Sequence, residues 1–310
     1  MTTPPLRLDE SRSGLLVTGA HRSGSTWLGR LLAAADELHY VQEPYNIVAH
    51  TRWTPTRPER QFWYSRPGDG WTEQLDRVVE LRPPLVASLR DIGVDQRRLR
   101  RLARLHVDAA KARRRSARPL MKDPIAVFST PYLVERLGFV PVILVRDAVS
   151  FVGSLVARNW TFDFSHWIDQ PQLMNDLLAG HRAAIEARPE DLVEQGIVEW
   201  NAIYDAVASF GAEHPDWLIV RYEDLAADPS TEIPQLFEQL GLRFGANQAA
   251  VLEELTTGPK GDGKTAIDVR RDSSEALSTW SQRLDDDQVE RIRAGTSDVA
   301  ERVSRVAGLR

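Results

Sequence analysis

Three absences limit what this 310-residue chain can be. It has no cysteine, which excludes disulfide bonds, a thiolate zinc site and a cysteine nucleophile. It has no run of about 18 apolar residues, so we expect no membrane-spanning helix. Its first residues, MTTPPLRLDESRSG, are polar and carry acids, unlike a secretory signal peptide. With 42% hydrophobic and 27% charged residues, the chain is expected to be an ordinary globular protein of the cytoplasm.

The charge is distributed unevenly. The net charge is −5, yet residues 97–118 carry nine Arg and one Lys against a single acid, Asp108. That segment therefore holds +9, and the remainder of the chain sums to −14. The spacing of Leu99, Leu102 and Leu105 predicts a helix with one face packed inward and a solvated basic face. The alternative is a basic wall that attracts an anionic acceptor or cofactor; we expect no nucleic-acid partner, because nothing else resembles a nucleic-acid module.

Short apolar runs alternate with helical patterns along the chain. The runs that predict buried strands are residues 15–17, 38–41, 119–123, 141–146 and 217–225. Helical patterns occur at about 25–35, 72–80, 95–117, 129–137, 148–158, 171–211 (with a break near Pro189), 231–240, 246–256 and 285–306. This alternation predicts the α/β class, with a central parallel sheet flanked by helices. We expect one domain over 1–310, with its core at about 14–285.

Two aromatic-rich segments, at about 42–72 and 159–170, interrupt this alternation. The first contains Tyr45, Trp53, Phe62, Trp63, Tyr64 and Trp71, and the second contains NWTFDFSHW. Loops of this length inside a compact domain are usually functional. We interpret them as inserted loops that contact an acceptor, whose apolar or sugar faces the rings can stack on. The alternative is that these rings are core residues beneath long loops.

The segment GLLVTGAHRSGSTWLGRLL at 14–32 predicts a strand, a tight loop and a helix. A helix N-terminus offers unpaired N–H groups and the positive end of a dipole, so the loop is a candidate anion site. Its spacing matches the phosphate loop G-x-x-x-x-G-K-[ST], except that Ser25 stands in place of the lysine. A cation comes earlier, at Arg22. The missing lysine argues against a nucleoside triphosphatase.

Polar residues follow each predicted strand. They are Gly19–Thr26, Glu43, Lys122–Asp123, Arg146–Ser154 and Tyr222–Asp224. Ligands of open parallel sheets bind at the carboxyl ends of the strands, so we expect these residues to share one edge. The apolar run that ends at Val145 is followed by a cation, Arg146, which suits a second phosphate better than a magnesium ion.

Two motifs in this order resemble the sulfotransferase family that uses 3′-phosphoadenosine 5′-phosphosulfate (PAPS) and has a phosphate-loop type of fold. GAHRSGSTW is similar to that family's 5′-phosphosulfate loop. VRDAVSFVGS is similar to its 3′-phosphate motif, in which an arginine and a serine eight residues later hold the phosphate; Arg146 and Ser154 have that spacing. MKDP at 121–124 and RYEDL at 221–225 are similar to further family elements, the second lying near the adenine.

The resemblance implies PAPS as the donor, adenosine 3′,5′-bisphosphate as its product, and no required metal ion. The residues it implies for donor binding are Arg22, Ser23, Gly24, Ser25, Thr26, Trp27, Arg146, Ser154 and Tyr222. The later loop, GPKGDGKTAIDVRRD, departs from the family's Arg-Lys-Gly triplet. Which of Lys264, Arg270 and Arg271 closes the 3′-phosphate site therefore stays open, although Arg270, ten residues before Trp280, fits best.

The loop has an arginine, Arg22, as its cation and no lysine. In this respect it resembles the branch that contains tyrosylprotein and bacterial trehalose-type sulfotransferases. That branch tends to use a glutamate base about 20 residues past the loop, and Glu43 lies 21 residues past Arg22. We therefore expect Glu43 to be the base, whereas His106 matches no motif. The expected reaction is in-line transfer of the sulfuryl group, with Arg22 and Lys122 stabilising the developing charge.

The acceptor is the least defined part of this interpretation. The expected acceptor is a hydroxyl or amine of a bacterial small molecule, glycoside or natural product. The sequence does not decide the oligomeric state, and a homodimer is possible. Two alternatives differ in class: a kinase-like nucleotide enzyme, and a non-catalytic protein that resembles sulfotransferases. The first lacks its loop lysine, and the second predicts a degraded site, although Arg22, Glu43, Lys122, Arg146 and Ser154 are all present.

Overall fold

A parallel five-stranded sheet is the centre of the fold in the computed structural model, which describes residues 4–48, 53–85, 87, 89, 96–257 and 279–308. Its strands are β1 (Gly14–Gly19), β2 (Leu38–Gln42), β3 (Arg118–Lys122), β4 (Phe139–Val145) and β5 (Leu218–Arg221). They are arranged in the order β2-β3-β1-β4-β5. In the register, Leu16 of the central strand pairs with Met121 on one side and with Pro141 on the other.

Helices connect the strands and cover both faces of the sheet. From the N-terminus they are α1 (Ser25–Leu32), α2 (Asp76–Val79), α3 (Gln96–Arg114), α4 (Thr130–Glu135), α5 (Ala148–Val156), α6 (Ser165–Ile168) and α7 (Pro171–Asp176). They continue with α8 (Arg182–Ala187), α9 (Leu192–Glu213), α10 (Tyr222–Ala227), α11 (Pro229–Gln239), α12 (Ala246–Thr257) and α13 (Asp286–Ser304). Short 3₁₀ turns lie at Thr72–Leu75, Pro124–Ser129, Ala179–His181 and Thr279–Gln282. This arrangement confirms the predicted α/β class.

The two faces of the sheet have separate cores because side chains alternate along a strand. Leu16 packs in one cluster with residues of α5, α9 and α13, whereas Leu15 and Val17 pack in the other with residues of α1, α11 and α12. Every residue of β1 and β4 is buried, as expected for strands covered on both faces. No helix within the described residues is long and apolar enough to cross a membrane.

Two predicted elements differ from the structure. The strand predicted over 217–225 ends at Arg221, and Tyr222 begins a helix. Glu223 and Asp224 lie in the first turn of that helix, where carboxylates interact favourably with the dipole. The helix predicted over 171–211 is divided into α7, a 3₁₀ turn, α8 and α9. Arg188 ends α8 with φ 48°, next to the predicted break, and Asp191 caps α9 by accepting from the N–H of Glu194.

The basic segment forms α3, but its packed face was only partly predicted. Leu102, Ala109 and Ala112 are buried. Ala109 and Ala112 belong to the core cluster against which Leu105 packs. Leu99 was expected to face inward and is 36% exposed. The first turn of α3 therefore extends beyond the part of the helix that contacts the core.

The aromatic insertions are mostly interior. The buried rings are Tyr45, Trp53, Phe62, Trp71, Phe162, Phe164 and Trp167. They pack edge to face, as Phe62 does on Trp167 at 5.7 Å between ring centroids. Trp63 and Tyr64 are only partly buried, whereas the burial of the others favours the alternative interpretation, in which these rings are core residues beneath long loops. Trp160 differs from them, since 44% of it is exposed.

Candidate active site

The loop between β1 and α1 has the geometry of an anion cradle. Arg22 and Gly24 both adopt left-handed backbone angles, with φ 64° and 93°. Gly24 precedes α1, and no side chain caps the helix there. A Cβ atom at Gly24 would lie 2.3 Å from the ring of Tyr222, so only glycine fits this position. The start of α1 is thus left for a ligand to cap.

The hydroxyl residues of this loop have different environments. Ser23 is fully buried, and its N–H donates to the carbonyl of Ala20 at 3.2 Å, so its hydroxyl lies inside the loop. Ser25 is 4% exposed at the first position of α1, and Thr26 is partly exposed. Trp27 packs its ring edge-on to Tyr222 at 5.9 Å. Ser25, Thr26 and the helix-start amides are therefore the better placed donors.

Arg22 connects the loop after β1 to the helix after β4. Its Nε donates to the hydroxyl of Ser154 at 3.1 Å, across 132 residues of sequence. Ser154 lies on α5, on the helix that follows Arg146. The loop after β1 and the helix after β4 thus meet at the carboxyl edge of the sheet.

Arg146, directly after β4, lies between an aromatic ring and an acid. Its guanidinium carbon is 4.2 Å from the centroid of Tyr222, and its Nε is 3.3 Å from Glu223. Burial raises the pKa of Glu223, although Arg146 opposes that effect. The backbone of Arg146 is held by α9, because its N–H donates to Tyr204 and its carbonyl accepts from the indole of Trp200.

Glu43 and Lys122 form an ion pair at the ends of β2 and β3. Lys122 is 1% exposed, whereas the Glu43 side chain is 19% exposed. The other carboxylate oxygen of Glu43 accepts from the amide of Asn46 at 2.7 Å. Glu43 has a left-handed φ of 47°, and its N–H donates to the carbonyl of Lys122. A buried cation and a solvent-accessible carboxylate are thereby fixed side by side.

Asp123 follows Lys122 and is fully buried. It accepts from the N–H of Tyr45 at 2.6 Å and caps the following 3₁₀ turn through the N–H of Ile125. Burial, followed by the nearby Glu43, raises its pKa well above the usual range. These contacts suit a residue that positions its neighbours.

A second pair of titratable side chains, His21 and Glu199, was not predicted. His21 Nε2 lies 3.2 Å from Glu199 Oε2, and both side chains are buried. Burial, with a smaller effect of Arg22, lowers the pKa of His21 from 6.5 to about 3. Burial likewise raises the pKa of Glu199 well above 4.5. His21 is part of the loop that was singled out, but the position of Glu199 inside α9 has no local signal.

The predicted residues at the strand ends are thus brought into contact in pairs, such as Arg22 with Ser154 and Glu43 with Lys122. Glu223 was not predicted as a site residue, although it is part of the RYEDL segment. Lys264, Arg270 and Arg271 lie outside the described residues. Among the residues that the structure describes, no group of three His, Asp or Glu side chains is arranged to hold a metal ion.

A family model described as "Sulfotransferase family" matches residues 14–246. The chain belongs to the sulfotransferase family. Carbohydrate sulfotransferase 2 of Homo sapiens is 26% identical over 185 residues, 56% of this chain and 31% of that protein. Carbohydrate sulfotransferase 1 of Rattus norvegicus is 31% identical over 91 residues, 28% of this chain and 22% of that protein. The chain thus matches a third or less of the length of these curated relatives.

Solved structures of sulfotransferases are also similar to this chain. A sulfotransferase domain from the curacin biosynthetic pathway has a TM-score of 0.48 and 15% identity, covering 96% of this chain and 99% of that one. The sulfotransferase domain of the Synechococcus PCC 7002 olefin synthase has a TM-score of 0.46 and 16% identity, covering 97% and 98%. Sulfotransferase STF9 of Mycobacterium avium has a TM-score of 0.45 and 14% identity, covering 94% and 77%.

Proposed function

We propose that this protein transfers the sulfuryl group of PAPS to a hydroxyl of a small-molecule or glycoside acceptor. The observation that carries the proposal is the contact between Arg22 and Ser154. The loop that contains Arg22 is expected to hold the 5′-phosphosulfate, and the motif that contains Ser154 is expected to hold the 3′-phosphate. The hydrogen bond brings the two directly together. A ribose that bears groups at both positions fits two adjacent anion sites, whereas the phosphates of ATP form a single chain.

Each part of the proposed donor site has residues of suitable chemistry. The amides at the start of α1, with Ser25 and Thr26, suit the 5′-phosphosulfate. Arg146 and Ser154 suit the 3′-phosphate, and guanidinium groups bind phosphate oxygens in a bidentate manner. Tyr222 offers a ring beside the cradle. The C-terminal cations Lys264, Arg270 and Arg271 stay candidates for closing the site.

Bound PAPS supplies an electrophilic sulfur with the bisphosphate as leaving group. In the proposed reaction the new acceptor oxygen–sulfur bond forms as the bond from sulfur to the 5′-phosphate oxygen breaks. Glu43 takes the acceptor proton, because its carboxylate is partly accessible to solvent and is held by Lys122 and Asn46. Lys122 and Arg22 stabilise negative charge on the transferring group and the leaving oxygen.

The acceptor class is supported less directly. The relatives named above are carbohydrate sulfotransferases, which favours a sugar hydroxyl over an amine. We expect the acceptor to be a bacterial glycoside or natural product that is present in the cytoplasm.

Calorimetric titration with adenosine 3′,5′-bisphosphate tests the donor site. We expect micromolar binding that Arg146→Ala weakens by about tenfold to a hundredfold, because a charged hydrogen bond to phosphate contributes about 1.5–3 kcal/mol. Arg136→Ala is the matched control, since this exposed cation precedes the opposite end of β4. Tighter binding of ATP with magnesium than of the bisphosphate, or equal effects of the two variants, would contradict the proposal. Transfer of label from ³⁵S-PAPS to a panel of glycosides then tests the reaction.

A further inference from the structure

The imidazole of His21 is the point where both aromatic insertions meet the phosphosulfate loop. Phe62, from the insertion after Glu43, lies 6.0 Å from His21 between ring centroids. Phe151, on α5, lies at 5.3 Å, and Trp160, from the second insertion, lies at 5.4 Å. His21 directly precedes Arg22 in the chain. Rings from both insertions are therefore anchored next to the residue expected to contact the sulfuryl group.

Trp160 is held in place by the way α5 ends. Asn159 has a left-handed φ of 47°, and its N–H donates to the carbonyl of Val156. The N–H of Trp160 donates to the carbonyl of Leu155 at 3.0 Å. This pair of bonds is the Schellman motif, in which asparagine is one of the accepted left-handed residues. The backbone that carries Trp160 is therefore fixed relative to Ser154, on the same helix.

The ring of Trp160 has one supported face and one exposed side. It stacks on His21 with 28° between the ring planes, and 44% of the residue is exposed. His21 is itself backed by buried Glu199 at 3.2 Å. Because burial keeps the pKa of His21 low, the imidazole is neutral at physiological pH and adds no charge beside Arg22. Trp160 is thus an exposed indole on a rigid, neutral support.

We propose that Trp160, supported by the His21–Glu199 pair, is the platform on which the acceptor stacks a ring that carries its reacting hydroxyl. The inference rests on the proposed function and specifies the acceptor of the same site. An indole face binds either the C–H face of a sugar or the π face of a phenol. An acyclic alcohol has no such face and gains little from the platform. Trp160 is a binding residue in this proposal, and His21 and Glu199 are positioning residues.

Nuclear magnetic resonance of the indole N–H groups tests this without a known acceptor. The chain has nine tryptophans, and Trp160→Phe identifies the Trp160 signal by removing it from the spectrum. The bisphosphate-saturated protein is titrated with N-acetylglucosamine, 4-nitrophenol and 1-butanol in separate experiments. We expect the Trp160 signal to move with a ring compound and not with butanol. The ring compound that moves it distinguishes a sugar from a phenol as the source of the face.

A ligand-detected measurement provides the variant test. Saturation transfer to the ring compound should persist in Trp160→Phe, while binding weakens by about tenfold in Trp160→Ala. Bisphosphate affinity should be unchanged in both variants, which also shows that they are folded. If neither ring compound moves the Trp160 signal, or butanol moves it equally, the platform is refuted although bisphosphate still binds. Loss of bisphosphate binding in the unmodified protein would instead refute the proposed function.

Discussion

Replacing Glu43 separates binding from chemistry, provided that the right replacement is chosen. Glu43 is the proposed base and also the acid that pairs with Lys122, whose side chain is 1% exposed. Glu43→Ala leaves a buried cation without this partner, and breaking such a pair costs about 3–5 kcal/mol. Low activity of Glu43→Ala would therefore not distinguish a lost base from a damaged fold.

Glu43→Gln is the sharper variant. The amide has nearly the same shape and its oxygen accepts from Lys122, although its NH2 group cannot accept from Asn46 as the carboxylate does. The loss of a charged partner for a hydrogen bond should cost about 1–2 kcal/mol of the free energy of unfolding. General-base catalysis contributes typically about 10²–10⁴ to a rate, so kcat for transfer should fall by that factor.

Donor binding should respond in the opposite direction. Glu43 pairs with the ammonium group of Lys122, and in the proposed site the donor would compete for that group. The neutral amide of the Glu43→Gln variant competes less, so the affinity of this variant for adenosine 3′,5′-bisphosphate should be unchanged or higher. Calorimetry gives the affinity, thermal denaturation gives the stability, and initial rates with ³⁵S-PAPS give kcat.

Two results would refute this reasoning in different ways. Transfer within a few-fold of the unmodified rate shows that Glu43 is not the base. A large loss of bisphosphate affinity shows that the carboxylate positions the donor and does not act on the acceptor. Asn46→Ala is the matched control, because it removes a partner of Glu43 while the Lys122 ion pair remains.

Two further predictions concern the support of the site. Gly24→Ala places a Cβ atom 2.3 Å from Tyr222 at φ 93°, so it should lower the stability by about 2–4 kcal/mol and weaken bisphosphate binding, as measured by thermal denaturation and calorimetry. Gly180→Ala is its control, since nothing lies within 4 Å of the added atom; equal effects would show that the contact is unimportant. Because burial raises the pKa of Glu199 above 4.5, the native state binds its proton more tightly than the unfolded chain. The contribution of the bound proton to stability is complete below pH 4.5 and is lost as the pH rises through the pKa of Glu199 in the folded state. Glu199→Gln has no such proton to lose, so its stability relative to the unmodified protein should increase as the pH rises over this range. Urea denaturation across pH measures the difference, and a pH-independent difference would contradict it.

The residues predicted from the sequence are those with a local signature. Arg22 lies in a loop with recognisable glycine spacing. Ser154 follows Arg146 by eight residues, from the end of a strand into the next helix. The rule that ligands bind at the carboxyl ends of parallel strands then placed them together before any contact was known. Family membership is consistent with that interpretation.

The residues that were missed act through distant contacts. Glu223 reaches Arg146 from the first turn of α10, and Glu199 reaches His21 from the middle of α9. Periodicity identifies such acids only as helical residues, because the sequence does not distinguish a carboxylate that faces the core from one that faces solvent. The sequence left two interpretations of the aromatic insertions open for a related reason. A ring in an irregular segment does not reveal whether the segment folds back onto the core, as it does at Phe62 and Trp167.

Helix α9 explains why the site depends on long-range structure. Within α9, Glu199 meets His21 of the loop between β1 and α1. The adjacent Trp200, and Tyr204 one turn later, hold the carbonyl and the N–H of Arg146. A single rigid helix therefore sets the separation between the two proposed phosphate sites. A donor with two phosphate positions on one ribose requires a fixed separation, so packing changes in α9 should alter donor affinity even though this helix carries none of the proposed phosphate ligands.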